Sequence, residues 1–132
     1  MSGTPAVHFA DRLASLGIGT RGSNSGWSIS VGREPIAPAT TITIYDTGGG
    51  EVDTDDQNMT SPAIQVRVRA ETYEACYGKQ EAIRQALILG GFAAGGARYY
   101  SVAAISGILS VGRDDADRYL MTQNFQALCE GS

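Results

Sequence analysis

The stretch "AIQVRVRAETYEACYGKQEAIRQAL", residues 63–87, changes its hydrophobic period partway along. Through residues 63–70, Ile64, Val66 and Val68 alternate with Gln65, Arg67 and Arg69, the pattern of a strand with one covered face. From residue 71 to 87 the pattern becomes helical. Tyr73, Cys76, Tyr77, Gln80, Ile83 and Leu87 fall on one stripe, while Glu74, Lys79, Glu81 and Arg84 turn to water. Gly78 weakens that helix by roughly 1 kcal/mol relative to alanine, a loss that tertiary packing overrides. A strand running straight into a helix, with further strands on both sides, sets the fold class as α+β.

Upstream, "TTITIY" (40–45) alternates Ile42 and Ile44 with threonines, and "WSISV" (27–31) alternates Trp27, Ile29 and Val31 with serines. Both read as half-buried strands, separated by "GREPIAPA" (32–39), whose two prolines break the run. At the start, Thr4-Pro5 followed by Phe9, Leu13, Leu16 and Gly17 predicts a short helix. Thr4 caps it, Pro5 fits its first turn and Gly17 ends it. Downstream, "GGFAAGGA" (90–97) reads as a loop. "RYYSVAAISGILSVG" (98–112) and "RYLMTQNFQALCE" (118–130) read as two strands joined by the polar turn "RDDAD". The expectation is one domain, residues 1–132, ordered helix-strand-strand-strand-helix-strand-strand. Its sheet is mostly antiparallel, with about five strands packed on two helices.

The formal charge of −4 and the pI near 4.8 argue against a DNA-gripping surface, although DNA can slide past an acidic one. Two distant cysteines, Cys76 and Cys129, and a single histidine, His8, make no zinc set. The N-terminus lacks the basic start and apolar core of a signal peptide, so cytoplasmic residence with free thiols is the default. "LILGGFAAGGARYYSVAAISGIL" is apolar, but Arg98 and its glycines make it a poor membrane span.

Several motifs invite a chemical reading. Asp46-Thr47-Gly48 behind "ITIY", with Gly112-Arg113-Asp114 far downstream, is the pattern of a retroviral-type aspartic protease half, in which two chains pair their carboxylates. The helix at 71–87 lies between those motifs, where that fold is nearly all strand, so a turn residue is the better reading of Asp46. "DTGGGEVDTDD" offers Asp46, Glu51, Asp53, Asp55 and Asp56 as hard oxygen ligands but lacks the EF-hand register, so a solvated acidic loop over residues 46–61 is expected. "GIGTRG" (17–22) follows a helix and opens toward a strand, the reverse of a dinucleotide fingerprint. His8 has no nucleophile partner and reads as a surface or boundary residue. Cys76 reads as core, and Arg67 and Arg69 as a solvated or interface pair.

The ordered set "YDTGG", an acidic loop, "IQVRVRAETYEACYGKQEAIRQAL" and a final hairpin "VGRDDADRYLMTQNFQAL" resembles the tail-terminator and minor capsid (tail-completion, neck) proteins of long-tailed bacteriophages. The order agrees over most of the chain, including the N-terminal helix. "LGGFAAGGA" (89–97) departs from it, replacing a tighter and more polar turn. The resemblance implies a virion structural protein, not an enzyme, without metal or cofactor. It implies a homo-oligomeric, hexameric ring at the head-proximal end of the tail tube, assembled in the host cytoplasm. The ring's implied partners are the major tail tube protein and the head connector or head-closure protein, with genomic DNA passing through the lumen and no membrane. On that reading Asp46, Glu51, Asp53, Asp55, Asp56, Arg67 and Arg69 are candidate lumen or subunit-interface residues, and loop 90–97 orders on assembly.

Overall fold

A computed structural model describes residues 3–51, 59–88 and 90–130. In chain order the elements are α1 (Pro5–Ser15), β1 (Thr20–Arg21), β2 (Ser28–Val31), β3 (Thr41–Glu51), β4 (Met59–Ala70), α2 (Tyr73–Ile88), β5 (Phe92–Ala94), β6 (Ala97–Ala104), β7 (Leu109–Arg113) and β8 (Tyr119–Glu130).

Helix α1 begins and ends as its sequence dictates. The Thr4 side chain accepts from Val7 N, Pro5 occupies the first turn, and Gly17 follows the Leu16 C-cap at φ 77°. Gly17 N bonds Ala14 O and Ile18 N bonds Leu13 O, closing the last carbonyls in a Schellman arrangement. Ala6, Phe9, Ala10 and Leu13 form its buried stripe.

The strands form one sheet in the order β1-β2-β3-β4-β8-β6-β5, with β7 also paired to β8. Pairs β1–β2 and β2–β3 are parallel, and β3–β4, β4–β8, β6–β8 and β7–β8 are antiparallel. The sheet is therefore mixed and larger than the mostly antiparallel sheet of about five strands expected from pattern alone. The parallel pairs make it mixed, β1 is an added strand, and three further differences lie elsewhere in the sheet. The acidic connection expected over 46–61 is a hairpin over much of its length, because β3 continues through Glu51 opposite Thr60. The glycine-rich loop holds β5, paired with β6 from Phe92 opposite Tyr99 to Ala94 opposite Ala97. The single strand expected over 98–112 is broken into β6 and β7, which take successive stretches of the same edge of β8.

Both helices lie on one face of the sheet, α1 over β2 and β3 and α2 over β4, β8 and β6. Strand alternation sends Ile29, Ile42, Ile44, Ile64, Val66, Val68, Met121 and Phe125 to that face, beneath Phe9, Leu13, Ile83 and Leu87. Each such side chain contributes about 1.5–3 kcal/mol on burial. Among the described residues, the face away from the helices carries no second layer of secondary structure. The segment 32–40, linking parallel strands β2 and β3, crosses part of it as a strap.

Candidate functional site

Asp46 ends the regular part of β3 at a bulge between Asp46 and Gly48, where Gly48 takes φ 92°. Its Oδ1 accepts a 2.8 Å hydrogen bond from Ala6 N in the first turn of α1. A carboxylate there satisfies an otherwise open N–H and sits favourably at the positive end of the helix. Asp46 therefore caps a helix. Gly112-Arg113-Asp114 lies beyond the opposite end of β4: Asp46 pairs with Ile64 while Tyr119, next to that turn, pairs with Ala70. Those positions are separated by roughly 20 Å along the strand, so the two motifs of the protease reading do not meet in this chain.

The downstream motif closes the β7–β8 hairpin. Asp114 Oδ1 accepts from Ala116 N at 3.0 Å and Arg118 N at 2.9 Å, and Oδ2 pairs with the Arg118 guanidinium at 2.8 Å. The backbone bond from Arg118 is the main influence holding the Asp114 carboxyl below its ordinary range. Arg113 pairs with Asp117 at 2.8 Å and stacks over Tyr119.

Arg67 and Arg69 share the sheet face away from the helices, as their spacing predicts, but their surroundings differ. Arg69 is 2% exposed. Its Nη2 donates to Pro38 O at 2.8 Å and Ile36 O at 3.2 Å, its Nε donates to Ala39 O at 3.3 Å, and Glu34 lies 3.4 Å from Nη1. It is the peg on which strap 32–40 hangs, so the expected interface role does not fit Arg69. Burial, then the nearby Arg118 charge, lowers its pKa, and Glu34 offsets part of that shift. Arg67 Nε lies 3.2 Å from Glu34 Oε2, ion-pair distance without an aligned hydrogen bond, and a third of its side chain stays exposed. Tyr45, whose hydroxyl pKa is raised by burial and by Glu34, completes this group. Arg118 Nη1 adds a second clamp on the strap, donating to Ile36 O at 2.9 Å. Sequence pattern placed both arginines on one face but missed Glu34 as their partner. The available signal was an acid in a proline-flanked segment between two strands that need a crossover.

On the helix face, α2 is tied to the seam between β4 and β8 by polar groups. Gln80 Nε2 donates to Val66 O at 3.0 Å and Met121 O at 2.9 Å, while Gln123 Nε2 donates to Gln80 O and Oε1. Cys76 Sγ donates to Val68 O at 3.3 Å, and burial raises its thiol pKa to about 11. Cys76 is core, as expected. Two members of the expected stripe are not, since Tyr73 and Tyr77 remain 47% and 40% exposed.

His8 is buried, contrary to the surface position its sequence context suggested. Its Nδ1 lies 2.7 Å from the Tyr99 hydroxyl, beside a cluster of Phe9, Phe92 and Tyr99 rings. A cleft of about 200 Å³ beside it is lined by His8, Asp11, Arg12, Ser15, Phe92, Ala93 and Ala94. Nothing in that cleft pairs a nucleophile with a base. Glu51 ends β3, and Asp53, Asp55 and Asp56 lie outside the described residues. Among the described residues no three His, Cys, Asp or Glu side chains converge on a metal position, and no helix is long and apolar enough to cross a membrane.

The described surface carries several large exposed apolar side chains. Ile36, on the clamped strap, is 87% exposed, with Leu109 at 61% and Ile105 at 55% near the same sheet face. Tyr73, Tyr77 and Ile88 project from the outward side of α2.

These features define an α+β domain with two helices on one face of a mixed sheet. In overall fold it is similar to a chain of the virion of a native gene transfer agent particle, with a TM-score of 0.69 at 14% identity over 96% of this chain and 95% of that one. The family model for bacteriophage tail terminator proteins matches residues 12–130, and the chain belongs to that family. No curated protein sequence matches it. The chain is thus a structural protein of a phage tail.

Proposed function

We propose that the protein closes into a hexameric ring at the head-proximal end of the tail tube. The family match over residues 12–130 is the observation that carries this reading. There the ring ends tube polymerisation and presents a surface to the head connector or head-closure protein, with the whole chain acting as one unit. Assembly takes place in the host cytoplasm, and the finished ring resides in the virion neck. Exposed apolar groups on two opposite sides of the chain support a head-to-tail contact, which generates a ring when its rotation closes. Six copies at −4 carry 6 × −4 = −24, so a lumen through this ring repels phosphates and lets DNA slide. Asp46, Glu51, Asp53, Asp55 and Asp56 are assigned to the lumen or a subunit contact, and Arg67 to a neighbour's acidic group. Asp46 serves there as a structural cap as well. No catalytic step belongs to this function.

The test combines solution mass with negative-stain images of the purified chain, and tail morphology in a phage lacking it. A six-fold ring with a central hole and overlong, headless tubes in its absence are expected. A stable dimer that cleaves peptides, with cleavage abolished by Asp46→Asn, would overturn the proposal in favour of a protease.

A further inference from the structure

Gly78 sits in the middle of α2, fully within the helix and exposed. A Cβ built at that position meets no heavy atom within 4 Å. Its φ is not in the left-handed region, so neither backbone geometry nor packing inside the chain requires glycine there. Glycine is nonetheless among the poorest residues for a helix interior. A bare position of this kind leaves room for close approach by another chain.

The surroundings of Gly78 have the character of a contact. Glu74, Tyr77, Glu81 and Ile88 are spaced as neighbours along one outward strip of the helix, all exposed. Gly78 opens a notch beside that strip. On the strip itself Glu74 and Glu81 against Arg84, which stands at the same helical spacing, leave a charge of −2 + 1 = −1. Lys79 is turned away from the strip, with its ammonium donating to Ile18 O at 3.0 Å and standing over the Trp27 ring.

On the opposite face of the sheet, strap 32–40 presents the complementary features. Ile36 is 87% exposed, yet its own carbonyl is held by Arg69 and Arg118. An exposed apolar side chain on a clamped backbone is preorganised, so little freedom is lost when it docks. Around it Arg33 and Arg67 against Glu34 leave +2 − 1 = +1, Arg69 being enclosed beneath the strap. The two patches match in charge and lie on opposite sides of one chain. A contact between them cannot be two-fold and is head-to-tail.

The geometry points to a subunit contact in which Ile36 of one copy seats in the Gly78 notch of the next, with Arg33 and Arg67 facing Glu74 and Glu81. This deepens the ring reading and rests on it: the occupant of the α2 surface is a second copy of this chain.

The decisive variant is Gly78→Ala, because the two effects of the added methyl have opposite sign. Within the chain it improves the helix and raises the melting temperature by roughly 3–5 °C. In the contact it fills the notch and weakens association by about tenfold or more. Mass measured across a concentration series reads the second effect, and thermal unfolding of the dilute chain reads the first. Ile36→Glu, at a side chain that touches little of its own chain, should reduce association without moving the melting temperature. Arg33→Glu should also reduce it, and adding Glu74→Arg should restore it. If the wild type assembles and Gly78→Ala assembles as tightly, the contact is overturned while the ring stands. If the wild type stays monomeric at every concentration and on tail tubes, the ring reading fails and takes this contact with it. If Gly78→Ala rings form unchanged but no longer attach to purified tail tubes, the surface belongs to the tube protein and the inference is again overturned.

Discussion

Arg67 and Arg69 are two residues apart on one strand and do different work. Arg69 is enclosed by strap 32–40 and donates to three backbone carbonyls, with Glu34 as counter-charge. Removing the guanidinium takes the donor from Pro38 O and Ala39 O, leaves Ile36 O to Arg118 alone, and leaves Glu34 with only Arg67. Arg69→Ala is therefore expected to lower stability by about 3 kcal/mol, against about 0.5 kcal/mol for the partly exposed Arg67→Ala, both read by urea denaturation. Period-2 alternation told which face these side chains share. It could not tell which one would be covered, because the cover comes from a proline-containing segment that carries no periodicity of its own. Asp114 was equally legible as a turn residue and illegible as the anchor of that turn. Its folded pKa is depressed, chiefly by the Arg118 backbone bond. Its contribution is thus present above the ordinary carboxylate pKa and is lost as pH falls through the lower folded value. Acid titration of unfolding free energy should show that loss in the wild type and not in Asp114→Asn. Equal acid limbs for the two proteins would show that the turn does not depend on the charge.

At the scale of elements, the strand-to-helix switch at residues 63–87 was readable because both periods are written in large side chains. The rest of the sheet was harder to read for the opposite reason. Residues 48–50 and 90–96 are mostly glycine and alanine, which carry little hydrophobic signal, yet their backbones pair in β3 and β5. Gly91 belongs there because a Cβ would stand 2.2 Å from Tyr99 O. Helix α2 was read as an apolar stripe, but its central contact with the sheet is the amide of Gln80 over the β4–β8 seam. Gln80→Leu keeps the volume and removes the donors, leaving two strand carbonyls without that partner and the Gln123 amide with only the backbone carbonyl of residue 80. A loss of about 2–3 kcal/mol is expected in denaturant unfolding. At α1, Asp46→Ala removes one of the acceptors at the helix start. It should cost about 1 kcal/mol or somewhat less, given its exposure, and should lower helical signal from the first turn.

The whole molecule is organised around the pairing of β4 with β8, strands that lie far apart in sequence and meet from Met59 opposite Glu130 to Ala70 opposite Tyr119. No local pattern announces such a pairing, which is why the elements were easier to read than their order in the sheet. The parallel β1–β2–β3 arrangement was hidden in the same way, since it depends on the strap crossing the face and not on any strand's composition. This architecture sets a hierarchy of stability. β4 is paired on both edges and lies beneath both helices, whereas β1 has two residues and β5 three, each at an outer position of the sheet. Edge segments open locally, but breaking the β4–β8 seam removes the support of α2 and exposes most of the core, so it should coincide with global unfolding. Native-state hydrogen exchange in rising denaturant should therefore find the amides of residues 64–68 and 120–125 exchanging only through the global transition. Those of β1 and β5 should exchange through smaller openings insensitive to denaturant. Gln80→Leu should lower the free energy of the slowest class by the same amount as the equilibrium measurement and leave the β5 openings unchanged. Amides of β4 that exchange as freely as those of β5 would mean that the seam is not the centre of the fold.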